Sequence, residues 1–138
     1  MNEHDCIDRL MGARVARLAT TDGSGRPHIV PIVFALLIGR VVSSVDHKPK
    51  RTTRLKRLEN VRANPAVSVL ADHYDDDDWA SLWWVRVDGT ARIVHDGHDF
   101  DEAVGALAAK YSQYRDRPPT GPAIVIDIER ITGWSSRG

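Results

Sequence analysis

The sequence predicts a mainly β protein with helices (α+β), folded as a closed or nearly closed antiparallel barrel with helices over its openings. Two observations carry this. Strand-like runs are joined by hairpin chemistry, DGSG at 22–25 and Gly39-Arg40, residues that accept tight-turn conformations. The elements read in the order α-βββ-α-ββ-α-β, six strands with no βαβ series of the nucleotide-binding kind. A length of 138 residues favours one domain, 1–138.

Each element has a local reason. Asn2 caps a helix running to about Met11, with Ile7, Leu10 and Met11 on one face, and Gly12 favours its end. Val15, Leu18 and the β-branched pair Thr20-Thr21 give the first strand. The second runs from about Pro27 to Leu37, apolar on both faces as a buried strand is. Pro27 and Pro31 cannot donate to a ladder, so they place this strand at an edge or a bulge, where a ligand can approach. Val41 to Val45 is the third strand. Thr52 or Thr53 caps a helix to about Arg62, with Leu55, Leu58 and Val61 as its apolar stripe, and Asn64-Pro65 stops it. AVSVLADHY is the fourth strand, and DDDDWASL is an acidic loop with a helical turn. LWWVRVDGTARIVH is the fifth strand, with Val85 and Val87 on one face and Arg86 and Asp88 on the other. Asp99 to Tyr114 reads as a helix with Phe100, Val104, Leu107, Ala108 and Tyr111 inward, and AIVIDIERITGW is the last strand.

Bulk properties exclude several classes. A single cysteine, Cys6 on an expected surface helix, permits no internal disulfide. The acidic start MNEHDCIDRL is not a signal peptide, and no apolar run reaches the roughly 20 residues of a membrane span. A soluble, cytoplasmic protein is expected. Net charge is zero, from 19 basic and 19 acidic residues, so global charge predicts no partner. Locally the picture differs: residues 46–66, DHKPKRTTRLKRLENVRANPA, hold seven Lys or Arg. Arg57 and Arg62 read as a solvated helix face. Lys48, Lys50 and Arg51 instead precede the helix, in the loop that leaves a strand. Cations, free N–H groups at a helix start and the hydroxyls of Thr52 and Thr53 make an anion site, of phosphate type. No Walker sequence and no GxGxxG is present. His95, His98, and His73 beside the four aspartates lack metal-ligand spacing, so no metal is expected. Trp79, Trp83 and Trp84 cluster after the acidic loop, as for core packing, a flat ring or a partner subunit. No GxSxG nucleophile motif occurs, and no catalytic residue is assigned.

Three stretches together resemble a known family: ARLATTDGSGRPHIVPIVFAL, VSSVDHKPKRTTRLKRLENVRANPAVSVLADHY and DWASLWWVRVDGTARI. They are similar to the split β-barrel flavin and deazaflavin oxidoreductases related to pyridoxamine 5′-phosphate oxidase. LWWVRVDGTARI looks most like the actinobacterial group that binds coenzyme F420, a 5-deazaflavin, in place of FMN. The resemblance implies a six-stranded, FMN-binding-protein-like split barrel, a homodimer, and a cofactor in a groove between subunits. It implies that Lys48 and Lys50 hold the cofactor phosphate, with Arg51, Thr52 and Arg54 nearby. Ser43, Ser44 and Val45 would lie beside the ring, as would His28 and Pro31, with Trp83 a further candidate. F420 carries a phosphodiester and several carboxylates, which suits the extra cations. The implied activity is hydride transfer between the reduced coenzyme and a small unsaturated or quinone-like substrate. An FMN-dependent oxidase or reductase, or a non-catalytic cofactor-binding protein, is the alternative on the same scaffold. Nucleic-acid binding is disfavoured, because the domain has no surplus positive charge and no reading motif.

Overall fold

A computed structural model of the chain describes residues 1–45 and 51–137, with the backbone alone at 51–55. Its elements are α1 (Glu3–Gly12), β1 (Ala16–Thr21), β2 (Pro27–Ile32), β3 (Ala35–Leu37), β4 (Arg40–Ser44), α2 (Arg51–Ala63), β5 (Ala66–His73), a 3-10 turn (Trp79–Ser81), β6 (Trp83–Val94), α3 (Gly97–Lys110), α4 (Ser112–Asp116) and β7 (Ala123–Ser135). The described strands form one seven-stranded sheet in the order β2-β1-β5-β6-β7-β4-β3, and every pairing is antiparallel.

Seven strands replace the expected six because Pro27 to Leu37 is two strands. β2 pairs with β1 alone and β3 pairs with β4 alone, so the chain changes partner at Val33-Phe34. Side chains take up the backbone groups freed there. The Ser43 hydroxyl donates to the Val33 carbonyl at 2.8 Å, and the Tyr111 hydroxyl accepts from the Phe34 N–H. The edges β2 and β3 are thus joined by a two-residue link. The sheet curls until its edges meet in sequence, and a short covalent seam stands where a ladder would close a full barrel. Pro27 and Pro31 lie on the edge strand β2, as expected of residues without an N–H.

Alternation sorts the side chains. Leu18, Val69, Val85, Val87, Ile124 and Ile126 are fully buried in the barrel interior. Cys6 and Leu10 of α1 and Leu58 and Val61 of α2 join the same cluster, so both helices plug it. Cys6 is therefore a core residue, 2% exposed, and not the surface thiol expected. Asn2 caps α1, accepting from the Asp5 N–H at 2.8 Å. α3 packs on the outer face of β3, β4 and β7 through Ala103 and Leu107. It ends at Lys110, where extended Tyr111 separates it from α4, so the single helix expected to Tyr114 is two. Arg92 donates to Asp99 at 2.6 Å, and Arg40 reaches Asp99 at 3.3 Å and Asp127 at 3.4 Å. This network ties α3 to three strands, and the Arg92 hydrogen bond holds the Asp99 carboxyl below its ordinary pKa.

Two glycines are set by geometry. Gly39 turns β3 into β4 at φ 73°, a left-handed conformation that favours glycine. At Gly89 the β6–β7 register shifts, and a Cβ there would run into the Asp127 carbonyl.

Candidate functional site

β4 precedes the start of α2 in the chain, so a strand end and a helix N-terminus flank the segment expected to form an anion site. Ser43, Ser44 and Val45 are 1%, 6% and 7% exposed. Ser43 is committed to Val33, and the Val45 N–H donates to the Pro122 carbonyl at 3.0 Å. Gly121 packs so close that a Cβ would lie 3.0 Å from the Val45 carbonyl oxygen. The end of β4 is thus buried and closely packed. Lys48 and Lys50 lie outside the described residues. The backbone of Arg51, Thr52 and Arg54 forms the first turn of α2, whose free N–H groups form the positive end of the helix.

α2 is held against the sheet by a polar contact that sequence reasoning did not find. Asn60 is 1% exposed and donates from Nδ2 to the Thr20 hydroxyl at 3.0 Å, itself 2% exposed. A salt link from Lys56 to Asp22 at 3.8 Å supports it. Asp22 also shapes the β1–β2 turn, accepting from the Ser24 and Arg26 N–H groups at 2.9 Å each, and these bonds lower its pKa. His28 is the register partner of Thr20. It points inward at this same end of the barrel, and its Nδ1 is buried with no hydrogen-bond partner. Pro31 lies three residues on, hence on the opposite face, exposed and paired with Arg17. The structure therefore brings His28 to the α2 end and turns Pro31 outward.

Trp83 lies elsewhere. It pairs with His73 and Ser135, whereas Val94, at the far end of β6, pairs with Ala123, the partner of Ser44. Eleven steps of strand separate them, roughly 36 Å at the usual rise. Trp79 is 65% exposed on its turn. Trp84 faces outward beside Trp134, its register partner. With Ile29, Leu70, Tyr74 and Arg17 they line a groove of about 550 Å³ on the outer sheet face. Ile29 is 64% exposed and Trp134 47%. Nothing local in the sequence singles out Trp134, because its neighbourhood is set by β6–β7 register.

Among the described residues no three His, Cys, Asp or Glu side chains converge as a metal site, and no helix is long and apolar enough to cross a membrane.

A profile of the family described as pyridoxamine 5′-phosphate oxidase matches residues 4–135. Conserved hypothetical protein Rv2991 from Mycobacterium tuberculosis has a similar fold, with TM-score 0.77 and 22% identity over 99% of this chain and 86% of that one. A FAD-binding protein from Mesorhizobium loti superposes with TM-score 0.72 at 25% identity, over 96% of this chain and 94% of that one. The FAD binding protein from Mycobacterium smegmatis does so with TM-score 0.68 at 25% identity, over 97% and 94%. No curated protein matches the sequence.

Proposed function

The chain belongs to the pyridoxamine 5′-phosphate oxidase family, and from that premise we propose that it is an oxidoreductase binding a flavin-type cofactor, with F420 as that cofactor. The observation that carries the reading is the β4–α2 unit inside a family match that spans nearly the whole chain. A buried strand runs out through a segment containing Lys48 and Lys50 into a helix start at Arg51. In sequence, cations directly precede the free N–H groups of a helix start, a combination that suits a phosphate or phosphodiester. The buried, unpartnered Nδ1 of His28 at the same end fits a polar group of a bound ligand.

In this reading Lys48 and Lys50 hold the phosphate, supported by the α2 backbone at Arg51, Thr52 and Arg54. Ser43 to Val45 supply the dry wall beside the ring. When bound, the cofactor supplies hydride transfer to or from a small unsaturated or quinone-like substrate. The chain supplies orientation and electrostatics. F420 is favoured over FMN by the extra cations around Lys50, which suit a more anionic tail.

We further propose that two copies complete the site. The groove with Trp84 and Trp134 lies at the opposite end of β6 from the β4 exit. A two-fold related copy can lay that groove against the partner's β4 exit, covering exposed Ile29 and Trp134. Exposed apolar side chains gathered in one groove suit an interface between chains.

A specific observation favours a second reading. Two structures similar at 25% identity are described as FAD-binding proteins, so a flavin nucleotide is the alternative cofactor. Fluorescence titration of cofactor-free protein with F420, FMN and FAD separates the two. Tightest binding of F420, followed by oxidation of its reduced form with a panel of conjugated acceptors, supports the first reading. Tighter FMN or FAD binding replaces it with the second. Binding without turnover on any acceptor leaves a carrier.

A further inference from the structure

At the end of the barrel plugged by α1, Trp83 and His73 are register partners and stack with ring centroids 6.4 Å apart. The Arg9 guanidinium lies 5.4 Å from the centre of the Trp83 ring. Arg137, just beyond β7, donates from Nε to the Ala80 carbonyl at 2.6 Å, and its backbone N–H donates to the Ser135 hydroxyl at 3.1 Å. The first bond anchors the guanidinium through Nε, and among the described residues its two terminal nitrogens make no hydrogen bond. These residues border a cleft of about 490 Å³ whose ionisable lining, among the described residues, is Arg9, His73 and Arg137, with no carboxylate among them. Among the described residues neither arginine is in an ion pair. Asp5 and Asp8 share an adjoining cleft with both arginines. They are turned to other donors, Asp5 to the Asn2 N–H and Asp8 to His4.

Guanidiniums outside any ion pair, at a cleft whose described lining has no carboxylate, suit an oxyanion, because each presents paired N–H groups that match two carboxylate oxygens. The cleft also adjoins apolar surface. His73, Leu82 and Trp83 border both this cleft and the sheet-face groove that carries Trp84 and Trp134. The geometry points to a small conjugated acid as the ligand. Its carboxylate is held by Arg9 and Arg137, and its unsaturated or aromatic body lies along Trp84 and Trp134. As a statement of substrate class this rests on the cofactor reading above. As a binding site it does not, so the test uses binding alone.

Calorimetric titration of the cofactor-free full chain with trans-cinnamate, and with the uncharged cinnamamide, isolates the carboxylate. At constant ionic strength cinnamate is expected to bind roughly tenfold more tightly than the amide, the scale of a charge-assisted contact. Arg9→Met combined with Arg137→Met should abolish that preference and leave amide affinity unchanged. Circular dichroism confirms that the variant is folded. Should it not fold, Arg137→Lys alone, which keeps the charge and loses the fork, should reduce the preference several-fold. Equal affinities in the wild type, no cinnamate binding, or a preference that survives the substitutions overturns the site. If the preference holds while F420 and flavins fail to bind, the acid site stands and its role as substrate site falls.

Discussion

The Tyr111 hydroxyl lies 3.1 Å from the backbone nitrogen of Phe34 and 3.0 Å from its carbonyl oxygen, across the seam between the two edges of the sheet. It accepts from the Phe34 N–H. Its own proton is shared between the Phe34 carbonyl and the Arg14 carbonyl, 2.9 Å away. One phenol therefore serves the backbone where the chain leaves β2 for β3.

Tyr111→Phe removes the hydroxyl and keeps the ring. A buried amide left without a partner costs about 1–3 kcal/mol, so the urea midpoint should fall while the slope of the transition stays the same. An unchanged midpoint would mean that water reaches the seam.

Lys110 gives the fold a pH dependence of definite sign. Its Nζ is buried without a hydrogen-bond partner, 4.0 Å from the centre of the Phe34 ring. Burial, with the nearby Arg14 charge, lowers its pKa from 10.5 to about 8. The folded state holds this proton less tightly than the unfolded chain. The charged form is thus a penalty, fully present below pH 8 and relieved as pH rises towards 10.5. Stability should rise across that window relative to Lys110→Met. Parallel stability profiles for the two proteins would refute it.

Lys50→Ala should weaken cofactor binding about ten- to a hundredfold, the loss of a charge-assisted contact of roughly 1.5 to 3 kcal/mol. Arg62, exposed in the last turn of the same helix, is the control, and Arg62→Ala should leave affinity nearly unchanged. Equal losses in fluorescence titrations at physiological salt would indicate a diffuse basic surface instead of a binding loop.

Ile29→Asp or Trp134→Asp places a charge in the middle of the sheet-face groove. If that face joins two copies, light scattering should show the dimer shifting to monomer with each substitution, and cofactor affinity falling with it. A wild-type monomer that still binds cofactor tightly would remove the two-copy site.

Much of the architecture was legible because it depends on local pattern. The DGSG turn, the Val85/Val87 alternation and the Asn2 cap each follow from neighbours in sequence. What stayed hidden depends on pairing across the chain. The break at Val33-Phe34 is enforced by Ser43 and Tyr111, which are remote in sequence from one another. Cys6 reads as a surface residue until α1 is known to plug the barrel. Asn60 looks like an ordinary polar helix position, and only the docking of α2 on β1 buries it against Thr20. At the site, the basic run was plain from composition. The separation of Trp83 from Ser43–Val45 was not, since both flank segments similar to one family and only the β6–β7 register reveals the strand length between them.

The sheet order also sets a sequence of assembly. β1–β2, β3–β4 and β5–β6 are neighbours along the chain, whereas Ser44 of β4 meets Ala123 of β7 across more than half of its length. Closing so long a loop is slow relative to forming hairpins. The β4–β7 pairing is then the late event in folding, and β4 is the strand that delivers the chain to α2. A nascent or refolding molecule would carry its hairpins first and gain a formed strand exit last. Refolding monitored by pulsed hydrogen exchange should protect the β5–β6 amides before those of β4.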